Sequence, residues 1–122
     1  MAIHESGEDY LETILVLKKK NGMVRSIDVA SELGYSKPSV SRAMSILKKS
    51  GYVTTDEKGH ISFTDEGLEL AERIYERHEN ISKFLINVLG VSEENALKDA
   101  CRIEHDLSDE TYNRICEALE KK

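Results

Sequence analysis

The sequence predicts a mainly α-helical protein, with an N-terminal winged helix-turn-helix followed by an all-helical region. Three observations predict this fold. Apolar residues recur at helical spacing between capping residues and glycines, two of the helices are joined by a tight turn at Gly34, and a short β-hairpin follows that pair. We expect the winged helix-turn-helix to span residues 1–64 and the helical region to span residues 65–122.

The first two helices are predicted from apolar spacing and from stop signals. Helix one covers residues 8–20 and ends in three lysines before Asn21-Gly22. Ser26 is expected to cap a second helix that ends at Gly34. The inward-facing side chains of this second helix are predicted to be Ile27, Ala30 and Leu33.

A third helix and a hairpin complete the winged motif. Ser36-Lys37-Pro38 opens the helix with proline in the first turn, where its missing N–H costs little. Its predicted buried stripe consists of Val40, Ala43, Met44 and Leu47. Residues 52–55 and 60–63 then flank a polar turn, a pattern typical of two short strands. This hairpin is the predicted wing.

Three more helices are predicted in the second half. Thr64-Asp65-Glu66 opens a long helix whose apolar stripe continues to Gly90, Ser92 caps a helix to about Asp106, and Ser108 starts the last one. These helices carry more apolar face than so short a segment can bury alone. We therefore expect this half to form a twofold homodimer interface.

Composition and charge narrow the function further. The chain of 122 residues has no apolar run long enough to span a membrane, and its acidic N-terminus is unlike a secretory signal, so we expect a cytoplasmic protein without membrane contact. The net charge of -6 is unevenly spread. Residues 18–58 hold nine basic against four acidic side chains, whereas residues 65–122 hold eight against fifteen. The basic segment coincides with the winged motif and favours nucleic acid as a partner.

The third helix is the expected reader of double-stranded DNA. Arg42 is the first candidate for a base-edge contact, with Lys37 and Pro38 near the groove floor. Phosphate contacts are expected from Arg25, Lys48, Lys49 and Lys58, and close backbone approach from Ser36, Ser39 and Ser41. Winged helices also mediate protein contacts, and charge runs often only face water, so both alternatives stay open.

A second constellation has the chemistry of a metal site. Cys101, Glu104 and His105 are spaced by three and four residues, so a thiol, a carboxylate and an imidazole project from one helix face, and Glu104 is expected to be partly buried. His78 falls on the apolar stripe of its own helix, and helix one adds Asp9 and Glu12. Each residue alone is also compatible with an ordinary core or solvent-exposed position. Together they offer O, N and S donors that suit Mn, Fe, Co, Ni or Zn.

Several motifs resemble the diphtheria toxin repressor family of iron- and manganese-dependent regulators. They are residues 7–12 (GEDYLE), the turn at 36–41 (SKPSVS), Arg77-His78, and especially residues 99–105 (DACRIEH) with 107–110 (LSDE). The match covers nearly the whole chain and looks like the short, manganese-transport-regulator form, without the SH3-like third domain. The resemblance implies a DNA-binding domain over residues 1–64 and a metal-binding and dimerisation domain over residues 65–122. It also implies metal-activated repression of metal-uptake or homeostasis genes from a palindromic operator.

The resemblance also implies the ligands. Asp9, Glu12, His78, Glu104 and His105 match the manganese-type pattern, whereas Cys101 stands where that pattern has Glu and the iron-type pattern has Cys. The implied cofactor is therefore Fe(II) or Mn(II), bridging the two domains, with Co(II), Ni(II) or Zn(II) as substitutes in vitro. A binuclear cluster and a single mixed site both stay open.

Two other function classes stay open from the sequence. A metal-independent winged-helix regulator that responds to a small ligand would explain the first half of the chain. An enzyme is not expected, because the sequence has no Gly-rich phosphate loop or nucleophile elbow, and thiol, carboxylate and imidazole on one helix turn fit coordination better than a Cys–His relay.

Overall fold

The fold was described from a computed structural model, which describes residues 5–121, with the side chains of residues 7–121. Its elements follow the order α1 Glu5–Asn21, α2 Ser26–Leu33, α3 Lys37–Lys49, β1 Val53–Thr55, β2 Ile61–Phe63, α4 Asp65–Asn87, α5 Glu93–Asp106 and α6 Asp109–Glu120. The mainly helical class with a β-hairpin wing is thereby confirmed. The chain divides into two compact units between Glu72 and Arg73, within α4. The division at residues 64 and 65 stays a prediction about functional domains.

The core of the first unit is built on α1. The side chains of Tyr10, Leu11, Ile14, Leu15 and Leu17 are buried along one face of this helix, as its apolar spacing predicts. At its C-terminal end, Lys18 Nζ donates a hydrogen bond to the Ile61 carbonyl of β2 at 3.0 Å. The first helix is thus fixed both to the helical core and to the wing.

The start and the buried face of α2 differ from the prediction. The N-cap is Arg25, whose backbone N–H donates to the Asp28 carboxylate at 2.9 Å, and Ser26 is the first helical residue. Ile27, expected to face inward, is 54% exposed, and Val29 is fully buried in its place. Only about one in three positions of this eight-residue helix faces the core. Val29 and Ala30 are the buried residues at these positions, so Ile27 is left to solvent. Gly34 ends the helix with φ +71°, as predicted.

Helix α3 follows after a turn of three residues. Ser36 caps it by accepting a hydrogen bond from the Ser39 N–H at 3.3 Å, and proline lies in its first turn. Val40, Met44 and Leu47 are buried as predicted, and Ala43 is half-buried. The opposite face of α3 is therefore left to solvent.

The wing is a two-stranded antiparallel hairpin. Val53 pairs with Phe63 and Thr55 with Ile61, around a turn at residues 56–59. The Ile61 N–H donates to the Val24 carbonyl at 2.7 Å, and Arg25 forms an isolated bridge with His60. The segment between α1 and α2 thus extends the hairpin by one pair of residues and holds the wing beside the helix-turn-helix.

The second unit combines the C-terminal part of α4 with α5 and α6. Its buried centre is formed by Ile81, Leu85, Ala96 and Ala100. Ser92 caps α5, as predicted, and Ser108, which was expected to start α6, is its N-cap. No residue of α6 is fully buried, so this helix retains half-exposed apolar side chains. Among residues 5–121, no helix is both long and apolar enough to cross a membrane.

Candidate metal centre and DNA-binding face

Glu104 on α5 is the centre of the predicted ligand group in the second unit. Its side chain is only 1% exposed, which confirms the expected burial. His78 Nδ1 on α4 lies 3.0 Å from Glu104 Oε2, and His105 Nε2 lies 3.4 Å from Glu104 Oε1. The first contact is a hydrogen bond, whereas the second has the distance of an ion pair without hydrogen-bond geometry. Two imidazoles therefore flank one buried carboxylate.

The second oxygen of this carboxylate is an unsatisfied buried acceptor. Glu104 Oε1 has no hydrogen-bond partner among the residues that the structure describes. A buried acceptor without a partner costs about 1–3 kcal/mol, and more when it is charged. Such a group is retained most readily where a cation offsets the cost. The donor set around Glu104 therefore fits a bound divalent ion.

Cys101 lies on the same face of α5, one turn earlier. Its thiol sulfur and a Glu104 carboxylate oxygen lie within 4.8 Å of each other, and the residue is exposed. Sulfur and oxygen at this separation can share a single ion. The structure thus brings Cys101, Glu104, His105 and His78 together through Glu104.

Asp9 and Glu12 form a separate pair on α1 in the first unit. They are three residues apart on one helix face, both half-buried, with carboxylate oxygens within 4.8 Å of each other. Hard oxygen donors of this kind suit Mn(II) and Fe(II). The six predicted ligands are therefore found as one pair on α1 and one group of four on α4 and α5.

Arg77 holds the helices that carry this group of four. Its guanidinium donates to the Leu107 carbonyl at the end of α5, lies 3.4 Å from the Asp109 carboxylate, and stacks 4.9 Å from the centre of the Tyr112 ring. Since His78 is the next residue on α4, these contacts fix the backbone from which His78 reaches Glu104. Sequence reasoning assigned no role to Arg77, although its position beside His78 was the available signal.

The predicted DNA-reading side chains lie on the solvent face of the winged motif. The residues concerned are Arg25, Ser36, Lys37, Pro38, Ser39, Ser41, Arg42, Lys48, Lys49 and Lys58, and all of them are exposed. Ile46, which sequence reasoning left out, is 54% exposed on this same face of α3. The signal was present in the spacing, because position 46 falls outside the buried stripe of Val40, Met44 and Leu47.

The turn of the wing is ordered by Asp56. Its Oδ1 accepts hydrogen bonds at 2.9 Å from the backbone N–H groups of Lys58 and His60, and its Oδ2 lies 3.1 Å from His60 Nδ1. The backbone hydrogen bond from His60 is the largest cause that holds the pKa of Asp56 below its ordinary value. This turn presents Lys58 to solvent at the tip of the wing.

Comparison with known proteins gave consistent matches over nearly the whole chain. Residues 2–61 match the iron dependent repressor N-terminal DNA binding domain, and residues 64–122 match the iron dependent repressor metal binding and dimerisation domain. An uncharacterised HTH-type transcriptional regulator of Methanocaldococcus jannaschii is 36% identical over 96% of this chain and 94% of its own length. The transcriptional regulator MntR of Escherichia coli is 38% identical over 87% of this chain and 68% of its own length.

A solved structure supports the same assignment. A manganese-dependent transcriptional repressor in complex with manganese superimposes with a TM-score of 0.86 at 28% identity, over 93% of this chain. The present chain spans about half of that protein, 52% of its length. Sequence, fold and the buried donor group thus agree, and the chain belongs to the iron-dependent repressor family of metal-dependent transcriptional repressors.

Proposed function

We propose that this protein represses metal-uptake or metal-homeostasis genes when it binds Mn(II) or Fe(II), and that it acts as a homodimer on a palindromic operator. The observation that carries the proposal is the buried Glu104 carboxylate with an unsatisfied oxygen and two flanking imidazoles. A metal-independent regulator has no use for such an arrangement, because a well-packed apolar residue in place of Glu104 would avoid the cost of burying its charge.

The proposed ligands are Asp9 and Glu12 on α1 together with His78, Cys101, Glu104 and His105. A bound divalent ion supplies positive charge and a fixed coordination geometry. Glu104 would offer the ion its unsatisfied buried oxygen, and His78, which now contacts the other oxygen of Glu104, would offer a ring nitrogen. Asp9 and Glu12, which repel each other as neighbouring carboxylates, become compatible at short distance, and this orders the N-terminal part of α1.

Cys101 is proposed to tune the choice of ion. Its thiolate is a softer donor than the carboxylate of the manganese-type pattern, so it shifts affinity from Mn(II) toward Fe(II), Co(II) and Zn(II). The thiol must lose its proton before it can bind the ion, and this makes metal affinity rise with pH.

On DNA, the exposed face of α3 is proposed to enter the major groove. Arg42 offers a guanidinium that matches the acceptors of guanine, and Lys48, Lys49 and Lys58 neutralise phosphates. Replacing Arg42 with Ala should therefore cost about 1–3 kcal/mol and relax preference at one base pair. Replacing Lys58 with Ala should weaken binding to all DNA sequences alike. It should also reduce the slope of log affinity against log salt concentration by about one.

The testing experiment is a titration of Mn(II), anaerobic Fe(II) and Zn(II) against DNA binding. The probe is a fluorescent duplex selected from a random pool by the metal-loaded protein, and calorimetry gives the number of ions bound. We expect tight, salt-sensitive binding to a two-fold-symmetric sequence only with metal present. Equal affinity after chelation would contradict the proposal.

Two variants separate metal regulation from its alternative. Glu104→Ala and His105→Ala should each abolish the metal response and leave the weak, metal-free binding in place. If either variant keeps the full response to metal, the proposed ligand set is wrong. If the wild type itself shows no response to metal, regulation by a different ligand is favoured.

A further inference from the structure

The helix that carries Asp9 and Glu12 is in direct contact with the turn before the recognition helix. Tyr10 on α1 and Tyr35 in the turn between α2 and α3 pack edge to face, with ring centroids 5.9 Å apart and planes at 65°. This is a favourable geometry for two aromatic rings. Tyr10 is 5% exposed, and burial, with Tyr35 as a second cause, raises its pKa. The Tyr10 ring is therefore buried where it meets Tyr35.

Tyr10 lies on the opposite side of α1 from the acidic pair. At about 100° per residue, the midpoint between Asp9 and Glu12 is about 130° from Tyr10 around the helix axis. The carboxylates and the aromatic ring are thus carried by one rigid turn of helix but point to different sides. Any shift or fraying of this turn displaces both at once.

Tyr35 connects the end of α2 to the start of the recognition helix α3. Its backbone N–H donates to the Ala30 carbonyl at 3.1 Å, which anchors it on the end of α2. The next residue, Ser36, is the N-cap of α3. The side chain of Tyr35 therefore sits one residue from the point at which the DNA-reading helix begins.

We infer that Tyr10 and Tyr35 are positioning residues that couple the order of the N-terminal turn of α1 to the placement of α3. When α1 is ordered, the Tyr10 ring holds Tyr35 and fixes the start of α3; when this turn of α1 loosens, the contact is lost. This inference rests on the proposed function, since it takes Asp9 and Glu12 as the ligands whose engagement orders α1. Neither tyrosine touches metal or DNA in this role.

The test compares DNA affinity with and without Mn(II) for the wild type, Tyr35→Ala and Tyr35→Phe. Fluorescence anisotropy on a duplex selected by the Mn(II)-loaded wild type, at about 50 mM salt, keeps the weak metal-free binding measurable. We expect Tyr35→Ala to reduce the Mn(II)-dependent gain in DNA affinity by about three- to tenfold, the range of one aromatic pair. Tyr35→Phe retains the ring and should restore the gain.

Mn(II) affinity without DNA distinguishes this inference from the proposed function. Calorimetry should give Tyr35→Ala the wild-type Mn(II) stoichiometry and an Mn(II) affinity lowered by no more than about three- to tenfold, because the ligands are intact and only the contact that favours the ordered turn of α1 is lost. Asp9→Asn, in contrast, should lose Mn(II) affinity itself. If the wild type shows no Mn(II)-dependent gain at all, the proposed function fails, whereas a wild-type gain that persists in Tyr35→Ala overturns the coupling alone.

A double-mutant cycle distinguishes coupling between the two tyrosines from independent structural effects of each substitution. Tyr10→Leu keeps an apolar side chain in the core, and the double variant should lose no more of the Mn(II)-dependent gain than either single variant. Met23→Ala, which truncates a 65% exposed side chain of the same unit, is the control and should behave as wild type. Additive losses, or equal losses with and without Mn(II), would show that Tyr35 acts as a plain structural or DNA contact and would overturn the inference.

Discussion

Replacing Glu104 with Gln should separate the cost of the buried carboxylate from its use in metal binding. The change keeps the shape of the side chain and removes its charge. The amide oxygen can still accept from His78 Nδ1, which lies 3.0 Å from Glu104 Oε2, and the amide nitrogen replaces the unsatisfied Oε1. We therefore expect the metal-free variant to be as stable as the wild type or more stable, because a buried charge without full compensation is destabilising.

The metal-bound protein should respond in the opposite direction. At a metal concentration of 100 times the dissociation constant, binding stabilises the wild type by about 2.7 kcal/mol. For a chain of this size that is a rise of roughly 11 °C in melting temperature, at about 4 °C per kcal/mol. If Glu104 contributes about 100-fold to affinity, the same metal concentration stabilises Glu104→Gln by only about 0.4 kcal/mol, or roughly 2 °C.

Thermal unfolding with and without Mn(II), followed by circular dichroism, measures both effects in one experiment. Asp99→Asn is the matched control, because it makes the same change from carboxylate to amide at an exposed position on α5. It should show the wild-type shift. A Glu104→Gln protein that keeps the full Mn(II) shift, or one whose metal-free form is destabilised by more than about 2 kcal/mol, would refute the reasoning, since Glu104 would then be a structural ion-pair partner.

Two substitutions and one titration test the metal centre, the fold and the wing. Cys101→Glu replaces a soft donor with a hard one and should lower the ratio of Zn(II) to Mn(II) affinity by about tenfold or more in competition titrations; an unchanged ratio would show that the thiol is not a ligand. Gly67→Ala places a Cβ 1.8 Å from the Tyr52 carbonyl oxygen, which cannot move aside. Alanine stabilises a helix by roughly 1 kcal/mol relative to glycine, but the clash should cost more than this gain, so we expect a lower free energy of unfolding in urea. In an NMR titration, the backbone amide of His60 should report a midpoint for Asp56 below the ordinary Asp value. The stability from this carboxylate is then present above its unfolded pKa and lost as pH falls through the lower folded pKa, and a midpoint at or above the ordinary value would contradict the cause assigned here.

Most elements of the fold follow from short-range signals in the sequence. Ser92 is the N-cap of α5, as predicted, and Ser36 and Ser108, which were expected to open their helices, are N-caps as well. A hydroxyl that accepts a hydrogen bond from a backbone N–H three residues later is a local interaction. Gly34 ends α2 for the equally local reason that its positive φ suits glycine. The burial of Glu104 was predictable in the same way, from its place on an apolar stripe.

The features that sequence reasoning missed depend on tertiary context. Ile27 is apolar and correctly spaced for an inner face, but α2 has room for few inward positions and the core takes Val29 and Ala30. The role of Arg77 depends on the loop after α5, which is 30 residues away in the sequence at Leu107. The contact of Tyr10 with Tyr35 joins residues 25 positions apart and has no periodic signature. Spacing predicts which face a residue occupies, but not which partner lies opposite.

Tight metal binding and activation are separate properties of a centre built in this way. Divalent ions bind a given set of N, O and S donors with affinities that rise from Mn(II) through Fe(II) and Co(II), and Cys101 adds to the advantage of the thiophilic ions. Activation, however, depends only on how much better an ion binds the DNA-competent arrangement than the alternative. On our proposal, the ligands whose engagement orders α1, and through Tyr10 and Tyr35 places α3, are Asp9 and Glu12, and both offer oxygen. An ion that prefers these hard oxygen donors orders α1 when it binds. An ion that binds well to thiolate and imidazole alone gains less from ordering α1. The ranking of ions by affinity therefore does not fix their ranking by activation of DNA binding.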